Sequence, residues 1–388
     1  MTAPRRLLHV IDDARPIGGA QTYLHGLSAG LLAEGWECGL LAGTLADGPF
    51  VHAAALTGDA ATDAAAVEAF DPDVVLVHTL DDAALVARVA RRRQTLLYVH
   101  DYRQIAPGNL RFLQRSETFC SEGFGLRCLL RPYTERCNNR RPDRIASSVR
   151  RVLAWRKVWP ELAGVLCATE FVARLHREHG VPPDLIRVVG YFAEPPAAAV
   201  ERSADADAPP RDVLFVGRTS PVKGGAHLVG AFARLAPEFP ASNLLLVGGP
   251  GTGGLDEVAE AAGVSARVAF PGWLRGAELE AAFARAAVFV MPSVWPEAFG
   301  IAALEAQVRG IPVVASAVGG VPDWLVEGAG ARLVPPADDA ALAEAIGGLL
   351  RDPAAAVRLG EAGRSRVREE FSLQAHLDRL LPLLESTR

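Results

Sequence analysis

Two acids eight positions apart, Glu297 and Glu305, sit in the mostly apolar stretch PEAFGIAALEA at 296–306. Glutamate is rarely buried without a partner, so such a pair marks either a surface helix or a ligand site. A second stretch, VGRTSPVKGG at 216–225, gathers Gly217, Arg218, Lys223 and two further glycines into one short turn. Of the 40 basic residues only Lys157 and Lys223 are lysines, so a generic positive charge in this chain is an arginine. Arginine offers a planar fork and lysine a compact point charge, and in a Gly-flanked loop the two together suit a diphosphate. The alternative is a solvated loop with incidental charge. Pro292 and Pro296 stop the apolar run AVFVMPS from passing straight into a helix. A helix start near Phe299 or Gly300 is therefore predicted, with Gly310 ending it. The open amides of Gly300, Ile301 and Ala302 would seat a phosphate, helped by the helix dipole. Glu297 precedes that helix and Glu305 lies about one and a half turns inside it. The two acids then suit a ligand with hydroxyls at both ends, a sugar ring and a ribose.

Strand ends must hold these residues. Short apolar runs of strand length occur at 6–11, 37–42, 73–78, 95–100, 164–169 and 186–190. They recur at 212–218, 243–249, 267–272, 287–293, 311–316 and 331–336, with helical patterns such as 20–35 and 82–93 between them. Near-continuous apolar strands separated by helices imply parallel sheets covered on both faces. The composition breaks at 192–211, rich in Pro, Ala and charge without periodicity, which reads as a linker. The expected division is a first domain at 1–191, a second at 212–370, and a C-terminal helix at 371–388 that can return to the first domain. In doubly wound folds ligands bind at the carboxyl ends of the strands, so an interdomain cleft there is the expected site.

In the first domain Gly18 and Gly19 stand between a strand and a helix, but G-x-G-x-x-G is absent. An ordinary turn, or a loop that lets backbone approach a phosphate, both fit. His100 opens the trio His-Asp-Tyr at a strand's carboxyl end, where cleft residues lie. His78 also ends a strand and reads as a structural histidine before an acceptor-facing one.

With 388 residues, half of them hydrophobic and 22% charged, the chain can bury two cores. Its formal net charge of −5 gives no argument for nucleic acid, and no recognition module is visible. No 18-residue apolar run occurs and the N-terminal apolar segment is short for a signal peptide, so the expected location is the cytoplasm. Residues 103–157 depart from the average, with 13 basic residues and four acids. Within them 143–159 has near-helical apolar spacing beside Arg150, Arg151, Arg156 and Lys157. A peripheral contact of 140–159 with an anionic membrane's inner face, attraction of an acidic acceptor, or an Arg-rich solvated face would each explain it. Cys120, Cys128 and Cys137 lack a C-x2-C knuckle and a fourth ligand, so no metal is expected there. Partly buried thiols or one disulfide are the alternatives.

Taken in order along 212–336, five segments carry a family likeness. The Arg218–Lys223 turn, FPGW, the Glu297–Glu305 segment, GIPVVAS and the Gly-Gly of AVGGVPDWL resemble the nucleotide-sugar-dependent retaining glycosyltransferases of family 4. The resemblance implies an α/β GT-B fold of two doubly wound Rossmann-like domains. It implies a nucleoside diphosphate sugar as donor, no cofactor, no metal, and a hydroxyl or amine acceptor that stays unidentified. Glu297 would contact donor-sugar hydroxyls, Glu305 the ribose, and Arg218 and Lys223 the diphosphate. Gly217, Phe299, Gly300, Ile301 and Ala302 would line the donor. Gly18 and Gly19 would act on the diphosphate from the first domain, and His100 on the sugar near the reacting centre. The stretch FPGWLRGAELEAAF at 270–283 would hold the base, through backbone near Leu274 and packing from Leu279. A GT-B sugar-nucleotide epimerase and a non-catalytic two-domain sugar-binding protein are the rival readings.

Overall fold

The computed structural model describes residues 4–195, 211–249 and 251–386. Its contacts divide into two units, Met1–Tyr191 with Leu373–Arg388, and Phe192–Ser372. Most of the expected linker, 196–210 of 192–211, lies outside the described residues.

The first unit is built on strands β1 (Arg6–Asp13), β2 (Glu37–Thr44), β3 (His52–Ala55), β4 (Val74–Val77) and β5 (Gln94–Val99). A short antiparallel pair follows, β6 (Phe112–Leu113) and β7 (Thr118–Phe119), then β8 (Gly164–Cys167) and β9 (Ile186–Val188). The main sheet runs β3-β2-β1-β4-β5-β8-β9, and every neighbouring pair is parallel. Strands such as β4, Val-Val-Leu-Val with all four residues buried, are apolar throughout because helices cover both faces. Sequence reasoning missed β3: its His-Ala-Ala-Ala lacks the branched bulk that marks a strand, and it lies at the sheet's mostly exposed edge. The helix Leu373–Glu385 belongs to this unit. His376 donates from Nδ1 to the Gly190 carbonyl at 2.7 Å, which leaves Nε2 to accept from the Tyr23 hydroxyl at 3.0 Å.

The basic, Cys-containing stretch 103–157, an insertion between β5 and β8, corrects one expectation. In the helix Pro142–Val158 the apolar residues Ile145, Val152, Trp155 and Val158 are buried, and Arg151 is tied to Asn109 Oδ1 at 2.6 Å. Its apolar stripe is core, and among its large hydrophobic side chains only Leu153 stays exposed, so this helix offers no apolar stripe to a membrane. Cys120, Cys128 and Cys137 are free thiols around one small cavity, and Arg131 donates to Cys120 Sγ at 2.8 Å. Among the described residues no group of His, Cys, Asp and Glu is arranged to hold a metal ion, and no helix is long and apolar enough to cross a membrane.

The second unit repeats the plan with β10 (Asp212–Val216), β11 (Leu244–Val247), β12 (Val268–Gly272), β13 (Ala286–Met291), β14 (Val313–Ser316) and β15 (Ala331–Val334). Their order is β12-β11-β10-β13-β14-β15, all parallel. The order reverses between β10 and β13, and between β1 and β4 in the first unit. At such a switch point the loops leaving adjacent strands diverge and open a crevice.

Candidate functional site

The loops leaving β10 and β13 carry Gly217, Arg218, Lys223 and Glu297 of the second unit. Val216 ends β10, and the chain passes through Gly217 and an exposed Arg218 to a single 3-10 turn, Pro221–Lys223. Pro292 and Pro296 break the chain after β13, as their fixed φ requires, and Glu297 lies between them and the helix Ile301–Val308. The two loops are pressed together. Val294 N donates to Val222 O at 3.0 Å, and a Cβ on Gly224 would stand 1.8 Å from the Pro292 carbonyl. With φ of 71° as well, position 224 admits only glycine without rearrangement.

This contact brings Lys223 Nζ to 2.6 Å from Glu297 Oε1, with the carboxylate almost fully buried. The Ser293 hydroxyl donates to the same oxygen at 2.5 Å, and Lys223 Nζ lies 5.2 Å from the centre of the Trp295 ring. Oε1 is saturated, while no described residue takes up Oε2. Glu297 is held from behind too. Gly320 N donates to its carbonyl at 2.7 Å, and a Cβ on Gly319 would lie 2.4 Å from that oxygen. The Gly-Gly pair thus lets the loop after β14 close on Glu297. Ser293 and Trp295 were not foreseen; only the i, i+4 spacing of Ser293 and Glu297 hinted at the former.

Arg218 has no ion pair or hydrogen bond among the described residues, so its guanidinium is free for a ligand. Gly300, with φ of 98°, caps the helix Ile301–Val308 and offers no side-chain oxygen to the first-turn amides. Gly18 and Gly224 cap their helices in the same way, whereas Asp59, Asp82, Thr169, Asp338 and Asp352 fill their own first turns. The helices after β1, β10 and β13 therefore keep open amides, the feature that seats anions. Ile301 and Ala302 are half-buried at this end.

Glu305 is half-buried on the same helix. Burial raises its carboxyl above the ordinary value, Arg309 opposes this and Glu280 adds to it. Arg309 is committed elsewhere, forking onto Glu280 at 2.5 and 2.9 Å and onto the Glu305 carbonyl at 2.6 Å. The Glu305 carboxyl has no hydrogen-bond partner among the described residues. Leu274 and Leu279 are half-exposed beyond β12, beside an exposed Trp273. Phe299 requires a correction. Its ring is buried, stacked on Trp324 at 4.5 Å and 3°, and its carbonyl accepts from Trp324 Nε1 at 2.7 Å. It braces the start of the helix, and its ring is closed to a donor.

In the first unit Gly18 and Gly19 open the helix Gly19–Ala33 directly after β1. His100 follows β5, but its ring is fully engaged. Nε2 faces His78 Nδ1 at 2.9 Å and Nδ1 faces the Tyr191 hydroxyl at 2.6 Å. His78 Nε2 meets His9 Nδ1 at 2.9 Å, and His9 Nε2 meets Ser28 Oγ at 2.9 Å. Ser28 Oγ also reaches the Leu24 carbonyl at 2.8 Å. A carbonyl only accepts, so the single hydroxyl proton of Ser28 is spent there and His9 must donate to its oxygen. Each neutral ring then accepts at Nδ1 and donates at Nε2, and Tyr191 closes the series as donor. Five protons fill five junctions in one direction. A sixth would break one, and burial opposes it as well: the His9 and His78 pKa values are pushed well below 6.5, and His100 falls to about 3. The resemblance gives His100 a contact with the donor sugar; here both of its ring nitrogens are taken up by His78 and Tyr191. The signal was three histidines at strand positions, of which His9 went unremarked. Nearby, Arg103 gathers Asp12 at 2.6 Å, Asp81 at 3.2 Å and Asp101 at 2.9 Å.

Each half matches a different family model. Residues 18–191 match the glycosyl transferase 4-like domain and residues 199–366 the glycosyl transferases group 1. The chain is 38% identical over 209 residues to an alpha-maltose-1-phosphate synthase of Mycolicibacterium smegmatis, covering 50% of this chain and 53% of that one. It is 33% identical over 237 residues to a 2-deoxystreptamine glucosyltransferase of Streptomyces kanamyceticus, covering 56% and 61%. The matches span about half the length of these curated relatives. Among solved structures it resembles sucrose-phosphate synthase from Thermosynechococcus elongatus, with a TM-score of 0.76, 22% identity and 98% of both chains covered. Anabaena HepE in complex with UDP-glucose gives 0.73 and 18%, over 98% of this chain and 100% of that one. The fold is GT-B, and with a glycosyltransferase model on each unit the chain belongs to the GT-B glycosyltransferases.

Proposed function

We propose that this chain transfers a sugar from a nucleoside diphosphate sugar to an acceptor hydroxyl or amine, with retention of configuration and without a metal ion. The observation that carries the reading is the Lys223–Glu297 pair, held where β10 and β13 diverge and beside glycine-capped helix amides. A leaving diphosphate needs its growing negative charge met by fixed dipoles and cations. Arg218, Lys223 and the amides at 300–302 supply these, and Gly18 and Gly19 are assigned the same task from the first unit. Glu297 Oε2 accepts from donor-sugar hydroxyls, and Glu305 accepts from the ribose. The sugar's anomeric carbon–phosphate oxygen bond breaks as the acceptor oxygen bonds to that carbon from the same face. The acceptor's proton passes to the departing phosphate oxygen.

Incubating the purified chain with a panel of nucleoside diphosphate sugars tests this. One donor is expected to release its nucleoside diphosphate slowly, with water as acceptor, giving free sugar of unchanged anomeric configuration at a rate unaltered by chelator. An epimerised nucleotide sugar, an inverted product, or a rate restored only by a divalent ion contradicts the reading.

A further inference from the structure

The helix Arg127–Thr134 in the insertion is amphipathic the wrong way round for a soluble domain. Leu126, Leu129, Leu130 and Tyr133 follow i, i+3, i+4, i+7 spacing and form one stripe, yet they are 84, 44, 67 and 50% exposed. Its inward side carries Arg131, which pairs with Glu122 at 2.5 Å and reaches Cys120 Sγ. A soluble helix normally turns its apolar stripe inward, so this face lacks its partner. Arginines cluster around and just beyond the helix's C-terminal end. Arg115 N donates to the Glu135 carbonyl just past the helix, and Arg136, Arg140 and Arg141 line an open depression of about 800 Å³ with Asn138 and Asn139. These four arginines are exposed and make no ion pair among the described residues.

We propose that this face docks the chain on an anionic membrane surface, the stripe entering the headgroup boundary and the arginines meeting lipid phosphates. Apolar insertion beside clustered cations is the chemistry of interfacial helices on acidic bilayers. A second copy of the chain fits poorly. Two-fold pairing would set each arginine cluster against its own image, and one short stripe falls below the roughly 800 Å² per partner of a stable interface. The inference stands apart from the donor chemistry, because none of these residues belongs to it.

Co-sedimentation of the full chain with vesicles decides it. Pelleting is expected with phosphatidylcholine–phosphatidylglycerol vesicles and not with phosphatidylcholine alone. It should be lost in the double variant Leu126→Ser/Leu130→Ser and, separately, in Arg140→Glu/Arg141→Glu, with unfolding temperatures unchanged because all four positions are exposed. No pelleting with acidic vesicles would overturn the proposal, as would pelleting that survives either double variant. A wild-type dimer in solution that Leu130→Ser converts to monomer would assign the stripe to self-association instead.

Discussion

Glu305 is the residue whose chemistry is most exposed to test. Its pKa is raised by burial, so the native chain holds more protons than the unfolded chain between the ordinary carboxyl value of 4.5 and the raised one. Stability therefore falls as pH rises through that window, and the loss persists at neutral pH. Glu305→Gln is expected to raise the Tm of the ligand-free chain at pH 7 and to weaken binding of a free nucleoside diphosphate. Thermal unfolding over a pH series checks the first part; a variant with an unchanged or lower Tm would remove the buried-charge account. At this scale the sequence was informative where residue type is restrictive. A rare lysine and two acids in apolar surroundings singled out Lys223, Glu297 and Glu305 as candidates, and the structure joins the first two in an ion pair. Ser293 and Trp295 were invisible because their role depends on how Pro292 and Pro296 bend the loop. Phe299 was misread because adjacency to Gly300 says nothing of which way a ring turns, and Trp324 claims it.

Among elements, the neutral histidine series ties β1, β4 and β5 of the first unit to the helix Gly19–Ala33. Replacing its middle member, His78→Phe, leaves His9 Nδ1 and the His100 N–H without partners, at about 1–3 kcal/mol for each group. Because these pKa values are lowered, the stability that neutral histidines provide is complete above 6.5 and is lost as pH falls towards the folded values. Each buried ring then contributes about 1.4 kcal/mol per pH unit. The urea midpoint of the first unit should drop between pH 7 and pH 5, and His78→Phe should start lower but fall less steeply. Equal midpoints at the two pH values in the wild type would contradict the assignment. Apolar runs located the strands that become buried, since burial on both faces writes a continuous signal. They could not reveal β3, nor that the stripe at 126–133 faces outward while that at 145–158 faces in. Direction is set by what each helix packs against.

For the whole molecule, the formal charge of −5 repels a diphosphate on average, so affinity must come from the local field at the ends of β10 and β13. Two sheets and the break between them were legible because the strand pattern stops near 192 and restarts at 212. The site was only half legible, since the sequence placed its charges but not the ion pair that joins two of them. Titrating a free nucleoside diphosphate into the full chain and into Lys223→Ala by calorimetry tests the central claim most directly. Losing a charged hydrogen-bond donor to the diphosphate should weaken binding by about tenfold to a hundredfold. Equal affinity in the two proteins would show that the diphosphate is seated elsewhere.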